Sequence, residues 1–317
     1  MYEEGFTLPV VHIFMATYNG CTVIEDQINS ILNQKGVEVK LHIQDDCSSD
    51  GTWEWLKAFT ITRKEKIEIK QSSHNQGSNE TFFDLIDSVS IDKNAFYAFS
   101  DQDDIWLPQK LSEAISLLLT LPKDRPCVYC SAVQNISTEG NLLNMDYTEY
   151  AICAKSFGTA FLTNYATGCT MVFNSKLLEL LQGKRPFPFP CLYDEWVYLV
   201  CHSIGNEKLD LNRSFIYRRI SESNQIGADK RGSDRVFAAG KRVYHGNICM
   251  HSQTIEMILY KYRTELNKNS YEFLEKALRG KKGTLFDKFQ FAIDKRLAQP
   301  TWQRMLWQRW KILTGKY

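Results

Sequence analysis

Asp101 and Asp103 lie one residue apart in the segment Ser100-Asp101-Gln102-Asp103-Asp104-Ile105-Trp106-Leu107-Pro108. Hard divalent cations such as Mg2+ and Mn2+ take oxygen ligands. They commonly bind through one or two carboxylates plus substrate phosphates, without a complete protein cage. Asp101-Gln102-Asp103 offers such a half-site. The spacing alone is weak, because an acidic loop capping the helix that begins near Pro108 has the same pattern. A second acidic pair, Asp194-Glu195, stands between Tyr193 and Trp196 at the start of a helical stretch. A carboxylate there is kept ionised by the helix dipole, so Asp194 suits a general base or a plain N-cap. Glu195 is the alternative base and points about 100° away on the helix.

The elements around these residues follow from periodicity. Val10–Ala16 is β-branched and apolar, a buried strand ended by Thr17-Tyr18-Asn19-Gly20. Ile24, Ile28, Ile31 and Leu32 follow at helical spacing. Val39–Asp45 alternates as a second strand, Ile67–Ile69 is a third and Ala95–Phe99 a fourth, with helical stripes between them. Strand and helix thus alternate four times, the pattern of a parallel α/β sheet covered by helices. Ligands bind such sheets beyond the carboxyl ends of the strands. Thr17-Tyr18-Asn19, Asp45-Asp46 and Asp101–Asp104 all fall at such ends. Further strands are expected at Val128-Tyr129, Cys169–Phe173 and Leu209–Arg219. From His251 the pattern is helical, with Ile255, Leu259, Tyr262 and Leu266 in register. We expect a catalytic body over residues 1–240 and a helical extension over 241–317.

Bulk properties narrow the class. The 317 residues carry 38 basic and 37 acidic side chains, which excludes a nucleic-acid footprint. Residues 281–317 nevertheless hold nine Lys/Arg against two Asp/Glu. Nine scattered cysteines suggest free thiols in a reducing compartment. Cys127-Val128-Tyr129-Cys130 has no second pair to complete a zinc site. The acidic start resembles no signal peptide, and no apolar run of membrane-spanning length occurs. A cytoplasmic location is expected.

Three blocks carry a family resemblance: Phe14-Met15-Ala16-Thr17-Tyr18-Asn19-Gly20, Gln44-Asp45-Asp46-Cys47-Ser48-Ser49-Asp50-Gly51-Thr52, and Ser100 through Leu111. In order and separation they resemble family 2 glycosyltransferases, and Ser-Asp-Gln-Asp-Asp-Ile-Trp-Leu-Pro looks most like the rhamnosyltransferase subgroup. The resemblance covers about residues 9–230. It implies an α/β GT-A fold and an inverting, metal-dependent transfer from a nucleotide-diphosphate sugar. The donor is dTDP-rhamnose or a UDP-sugar, and the acceptor a glycan or lipid-linked saccharide of bacterial surface polysaccharide.

The resemblance also implies roles. Thr17, Tyr18 and Asn19 line the nucleoside pocket and Asp46 accepts the ring N–H of the pyrimidine. Asp103 is the direct ligand of Mg2+ or Mn2+, Asp101 acts on the metal through water or on the sugar, and Asp104 is a supporting residue. Asp194 is the base. Ala166-Thr167-Gly168-Cys169 resembles a strand near donor and acceptor. Related sequences often place a His after a Tyr-Arg pair, whereas Tyr217-Arg218-Arg219-Ile220-Ser221 has none. Arg218 or Arg219 is then expected on the diphosphate, and the third metal ligand is open. A nucleotidyltransferase is disfavoured by the lack of a Gly-rich, basic loop after the first strand. A catalytically inactive scaffold is disfavoured by the retained Asp101, Asp103 and Asp194.

Trp302, Met305, Leu306, Trp310 and Leu313 form an apolar stripe at helical spacing, with basic neighbours. Two readings follow for residues 281–317: peripheral contact with the inner face of an anionic membrane, or packing on the body or in a homodimer.

Overall fold

The computed structural model describes residues 7–138, 140–146, 157–158, 160–161, 166–220, 248–298 and 301–315. The chain forms two compact units. Met1–Asp146, Ala166–Arg185 and Gly205–Arg219 make the first; Tyr147–Tyr165, Pro186–Ile204 and Ile220–Tyr317 make the second. The boundary expected at 240/241 lies outside the described residues.

The first unit is built on one sheet. Its strands are β1 (Val10–Thr17), β2 (Glu38–Asp45), β3 (Ile67–Gln71), β4 (Phe96–Ser100), β5 (Asp104–Trp106), β6 (Cys127–Ile136), β7 (Leu142–Asp146), β8 (Val172–Asn174) and β9 (Asn206–Arg219). They run in the order β3-β2-β1-β4-β8-β6-β9-β5, with β7 beside β6. The helices are α1 (Ile24–Leu32), α2 (Thr52–Thr60), α3 (Ser78–Ser88), α4 (Lys110–Leu118) and α5 (Ser175–Leu181). Strands β3, β2, β1 and β4 are parallel, as the strand–helix alternation requires. Val11, Ile13 and Met15 share one buried cluster with Ile24, Ile28 and Ile31 of α1. Phe14 is buried as well, beside Tyr97 and Phe99. With both faces covered, β1 must be apolar almost throughout.

Beyond β4 the sheet turns mixed. β8 is antiparallel to β4 and to β6, and β9 is parallel to β6. The strand expected over Cys169–Phe173 starts later, because Gly168–Thr170 is a 3-10 turn. The Thr170 amide and hydroxyl both donate to the Thr167 carbonyl, at 2.9 and 2.8 Å, and tighten the segment.

The second unit is helical in its described residues: α6 (Tyr193–Ile204), α7 (Ile248–Lys261), α8 (Lys268–Lys282), α9 (Leu285–Ala292) and α10 (Trp302–Thr314). Its core is aromatic. Phe157 stacks on His202 of α6 at 4.8 Å, Phe273 of α8 meets Phe157 and Phe291, and Trp196 faces Tyr262. Helix α7 stops before Tyr262 and Leu266, which the pattern had kept in register. There the Glu265 and Leu266 amides turn back to the Tyr262 carbonyl, and Asn267 caps α8.

One buried polar contact lies on the sheet itself. His12 Nδ1 and His42 Nε2 are 2.9 Å apart, with the rings stacked at 5.2 Å. Burial, then the neighbouring His42, pushes His12 down from 6.5 to about 4. A depressed pKa means that folding favours the neutral ring. Its contribution to stability is full above 6.5 and is lost as pH falls through about 4. His12→Phe should therefore show a shallower loss of stability between pH 7 and pH 4 in urea unfolding. An acid limb as steep as wild type would contradict the assignment.

Candidate functional site

The register of the parallel strands sets the site. Thr17 lies opposite Asp45, and Met15 opposite Ser100, so β1, β2 and β4 end together. The chain beyond them carries Tyr18 to Gly20, Asp46 and Asp101 to Asp103. The Asp46 amide continues the pairing by donating to the Thr17 carbonyl at 2.8 Å.

Gln102 joins the acidic segment to β1. Its Oε1 accepts from the Thr17 hydroxyl at 2.7 Å and the Tyr18 amide at 2.9 Å, while its Nε2 donates to the Tyr18 carbonyl at 3.0 Å. Thr17 is thus buried and engaged, whereas the Tyr18 side chain is exposed. Gly20 lies under this carboxamide, where a Cβ would come within 2.4 Å of Gln102 Oε1. Asn19 adopts a positive φ of 49° and ties two loops together. Its amide donates to Ser48 Oγ and its Oδ1 accepts from the Ser49 amide, both at 2.9 Å.

The acidic pair after β2 divides its work. Asp45 is buried and accepts from the Ser48 amide and hydroxyl and from Gln71 Nε2, which fixes the turn. Asp46 Oδ1 accepts the Gln76 amide at 2.9 Å, and its Oδ2 accepts the Gly77 amide at 2.8 Å. Asp46 therefore holds the loop that leads into α3. A carboxylate can accept about four hydrogen bonds, so capacity for a further donor remains. Asp50 serves the start of α2 through Thr52 and the Cys21 amide.

Polar residues on α1 and just past its end, which the apolar periodicity does not disclose, position the acidic segment. Gln27 is fully buried and bonds the Ser100 hydroxyl at 2.7 Å. Ser30 Oγ accepts the Trp106 amide at 3.0 Å, and Gln34 bonds the Leu107 carbonyl and the Leu111 amide at 2.8 and 3.1 Å. These contacts make Asp104–Trp106 a short strand, unanticipated from sequence, that pairs antiparallel with β9 and sets Asp104 opposite Arg218. The acidic residues do not cap α4, whose N-cap is Gln109.

The electrostatics are those of buried charge. Burial raises the Asp103 carboxyl, while its own backbone amide, Arg219 and Arg218 draw it back. Burial and then the Asp103 charge push Asp104 up. Neither Asp104 oxygen, both inaccessible to solvent, receives a hydrogen bond of normal geometry. Among the described residues, Asp101, Asp104 and Cys169 offer ligand atoms within 4.8 Å of one another. Buried carboxylate oxygens whose neighbouring donor is at most the Cys169 thiol, set beside a second carboxylate, fit a divalent cation. The structure therefore groups Asp101 with Asp104, where the spacing had paired it with Asp103. Behind them Lys110 is buried with Nζ 3.6 Å from the Trp106 ring centre, and burial pushes its ammonium down. Arg218 Nε donates to Asn135 Oδ1 at 3.1 Å, and Arg219 pairs with Asp26 at 2.6 Å.

Asp194 lies in the first turn of α6, as the pattern implied, and α6 belongs to the second unit. Its Oδ1 accepts the Glu195 amide at 2.8 Å. Burial, with the Asp194 charge beside it, pushes Glu195 up to about 7.

Residues 12–179 match glycosyl transferase family 2. The dTDP-rhamnosyl transferase RfbG of Shigella flexneri is 30% identical over 222 residues, 68% of this chain and 74% of that protein. The UDP-Glc:alpha-D-GlcNAc-diphosphoundecaprenol beta-1,3-glucosyltransferase WfgD of Escherichia coli is 27% identical over 219 residues, 68% of this chain and 79% of that protein. Among solved structures, S. aureus TarS 1-349 in complex with UDP-GlcNAc has a TM-score of 0.56 at 14% identity, covering 96% of this chain and 81% of that one. Mannosyltransferase PcManGT from Pyrobaculum calidifontis, in complex with GDP-Man and Mn2+, has a TM-score of 0.51 at 14% identity, with 98% and 86% covered. At these identities the structural likeness bears on the fold, which is the α/β GT-A arrangement expected from the sequence.

The Gly20–Gln102 contact is testable without any ligand. Gly20→Ala should lower unfolding stability by about 1–3 kcal/mol by displacing the carboxamide. Its effect should shrink when combined with Gln102→Ala, because both act on one contact. Strict additivity of the two substitutions would refute the contact.

Proposed function

The chain belongs to glycosyl transferase family 2, and from that premise we propose that it moves a sugar from a nucleotide-diphosphate donor to a saccharide acceptor with inversion. The observation carrying this reading is the convergence of Thr17–Asn19, Asp46 and Asp101–Asp104 on one edge of the sheet. We take dTDP-rhamnose as donor, a reading supported by the 30% identical dTDP-rhamnosyl transferase. A UDP-linked donor is the second reading, supported by the 27% identical UDP-Glc enzyme. The acceptor is a glycan or lipid-linked saccharide of bacterial surface polysaccharide. We place the reaction peripherally on the inner face of the membrane. Among the described residues no helix is long and apolar enough to cross one.

In this reading the exposed Tyr18 ring lies along the nucleoside, with Thr17 and Asn19 shaping the loop beneath it. Asp46 accepts the pyrimidine N–H with its remaining lone pairs. Mg2+ or Mn2+ would be held by Asp101 with Asp103 or Asp104, and when bound it offsets the negative charge of the diphosphate. Arg218 contributes a guanidinium suited to phosphate oxygens. Asp194 takes the proton of the acceptor hydroxyl. That oxygen bonds to the anomeric carbon from the side opposite the diphosphate. The anomeric C–O bond breaks and the nucleoside diphosphate leaves with the electron pair. Glu195, pushed up to about 7 by burial and then by the Asp194 charge, is the neighbouring carboxyl and the alternative base.

Release of nucleoside diphosphate from dTDP-rhamnose and UDP-glucose, with a panel of saccharide acceptors, tests the reading. Wild type with Mn2+ should turn over dTDP-rhamnose in preference, and EDTA should abolish turnover. Asp194→Asn should lower kcat by about 100- to 10,000-fold with the donor KM little changed. Undiminished turnover in Asp194→Asn would remove it from the mechanism, and full activity in EDTA would remove the cation.

A further inference from the structure

Half of the large apolar side chains exposed among the described residues lie on α9, α10 and the turn after α9. Scattered singly they would be ordinary surface. Here they are ordered. Leu285 is 75% exposed, Phe286 67% and Phe289 51%, with Ile293 just past the helix end. Trp302, Leu306, Trp310 and Leu313 fall within an arc of roughly 80° on α10, and Trp302 and Trp310 are 64% and 50% exposed. The two helices pack against each other. Their inner sides are already used, since Phe291 is buried against Phe273, and Gln308 and Ile312 are buried on α10. The bare stripes are therefore outer faces.

The charge around them has one sign. Asp287 is engaged in the capping box of α9 with Thr284, and Asp294 is held by Lys276 and Arg296. Lys288, Lys295 and Arg309 remain around the stripes, while Lys311 Nζ lies over Trp307, 3.6 Å from its ring centre. Lys281 donates to the Gly315 carbonyl at 3.0 Å and ties α8 to the end of α10. Trp, Phe and Leu on an outer face, ringed by Lys and Arg and with the acids engaged, match the interface of an anionic bilayer. A protein–protein interface is characteristically depleted in Lys.

We propose that α9 and α10 form a two-helix platform that docks on anionic phospholipid, inserting Leu285, Phe286, Phe289, Trp302, Leu306 and Trp310 into the headgroup boundary. This deepens the membrane placement proposed above, while its test is independent of the transferase chemistry. Full-length protein is floated with vesicles of phosphatidylcholine alone or with phosphatidylglycerol, without donor or acceptor, and tryptophan emission is followed. Wild type should float with the anionic vesicles and shift its emission to the blue. Phe286→Glu combined with Trp310→Glu should lower partitioning at least tenfold, with an unchanged unfolding midpoint and unchanged donor hydrolysis. Lys288→Gln and Lys295→Gln should each weaken binding about fivefold, on anionic vesicles only. Wild type that stays in the soluble fraction, or a double variant that floats as well as wild type, would overturn the proposal. So would a dimer in light scattering that the double variant converts to monomer without any vesicle uptake, because the face would then be a self-interface.

Discussion

The side chain of Gln102 stands between two aspartates and closes three hydrogen bonds onto the end of the first strand. A loop of carboxylates left to itself would spread apart, since like charges repel and each prefers water. The carboxamide holds the loop against Thr17 and Tyr18, and Gln27 and Ser30 of α1, with Gln34 just beyond its end, secure it from the other side. The parallel register then does the rest, because strands that end together bring Asp46 to the same edge. Gly20 leaves the room that Gln102 occupies, and a side chain there would displace the carboxamide.

Behind this edge the protein tolerates buried polar atoms whose geometry is incomplete. Asp104 and Lys110 are both removed from water; the Asp104 carboxylate accepts no hydrogen bond of normal geometry and the Lys110 ammonium donates none. Burial drives each toward its neutral form. Such groups cost stability unless something offsets them. A cation held by Asp101 and Asp104 would do so on one side, and the Trp106 ring face supports Lys110 on the other.

Local pattern disclosed the parallel half of the sheet, because β1 to β4 and α1 to α4 each carry an unbroken apolar period. It failed where structure depends on distant partners. Asp104-Ile105-Trp106 is too short and too polar to read as a strand, and it becomes one by pairing with β9. Cys169 and Thr170 have strand-like composition, yet bonds back to Thr167 and Gly168 curl them into a turn. The three motif blocks fall on one edge of the sheet, whereas nothing local marks Gln102, Gln27 and Lys110. Their roles come from partners 73 to 85 residues away, or from burial that no local window reveals. The exposed face of α9 was hidden for the opposite reason. Leu285, Phe286 and Phe289 look like core residues in sequence, and only the fold shows them uncovered.

In the reading proposed above, the carboxyl edge of the sheet binds the nucleotide-diphosphate sugar. Hydrogen–deuterium exchange of the full-length protein with and without dTDP and Mn2+ addresses it directly. Protection should concentrate in residues 17–21, 46–52 and 100–107, with the rest of the sheet unchanged. Saturating nucleotide that leaves those three segments unprotected, or that protects a different surface, would contradict it.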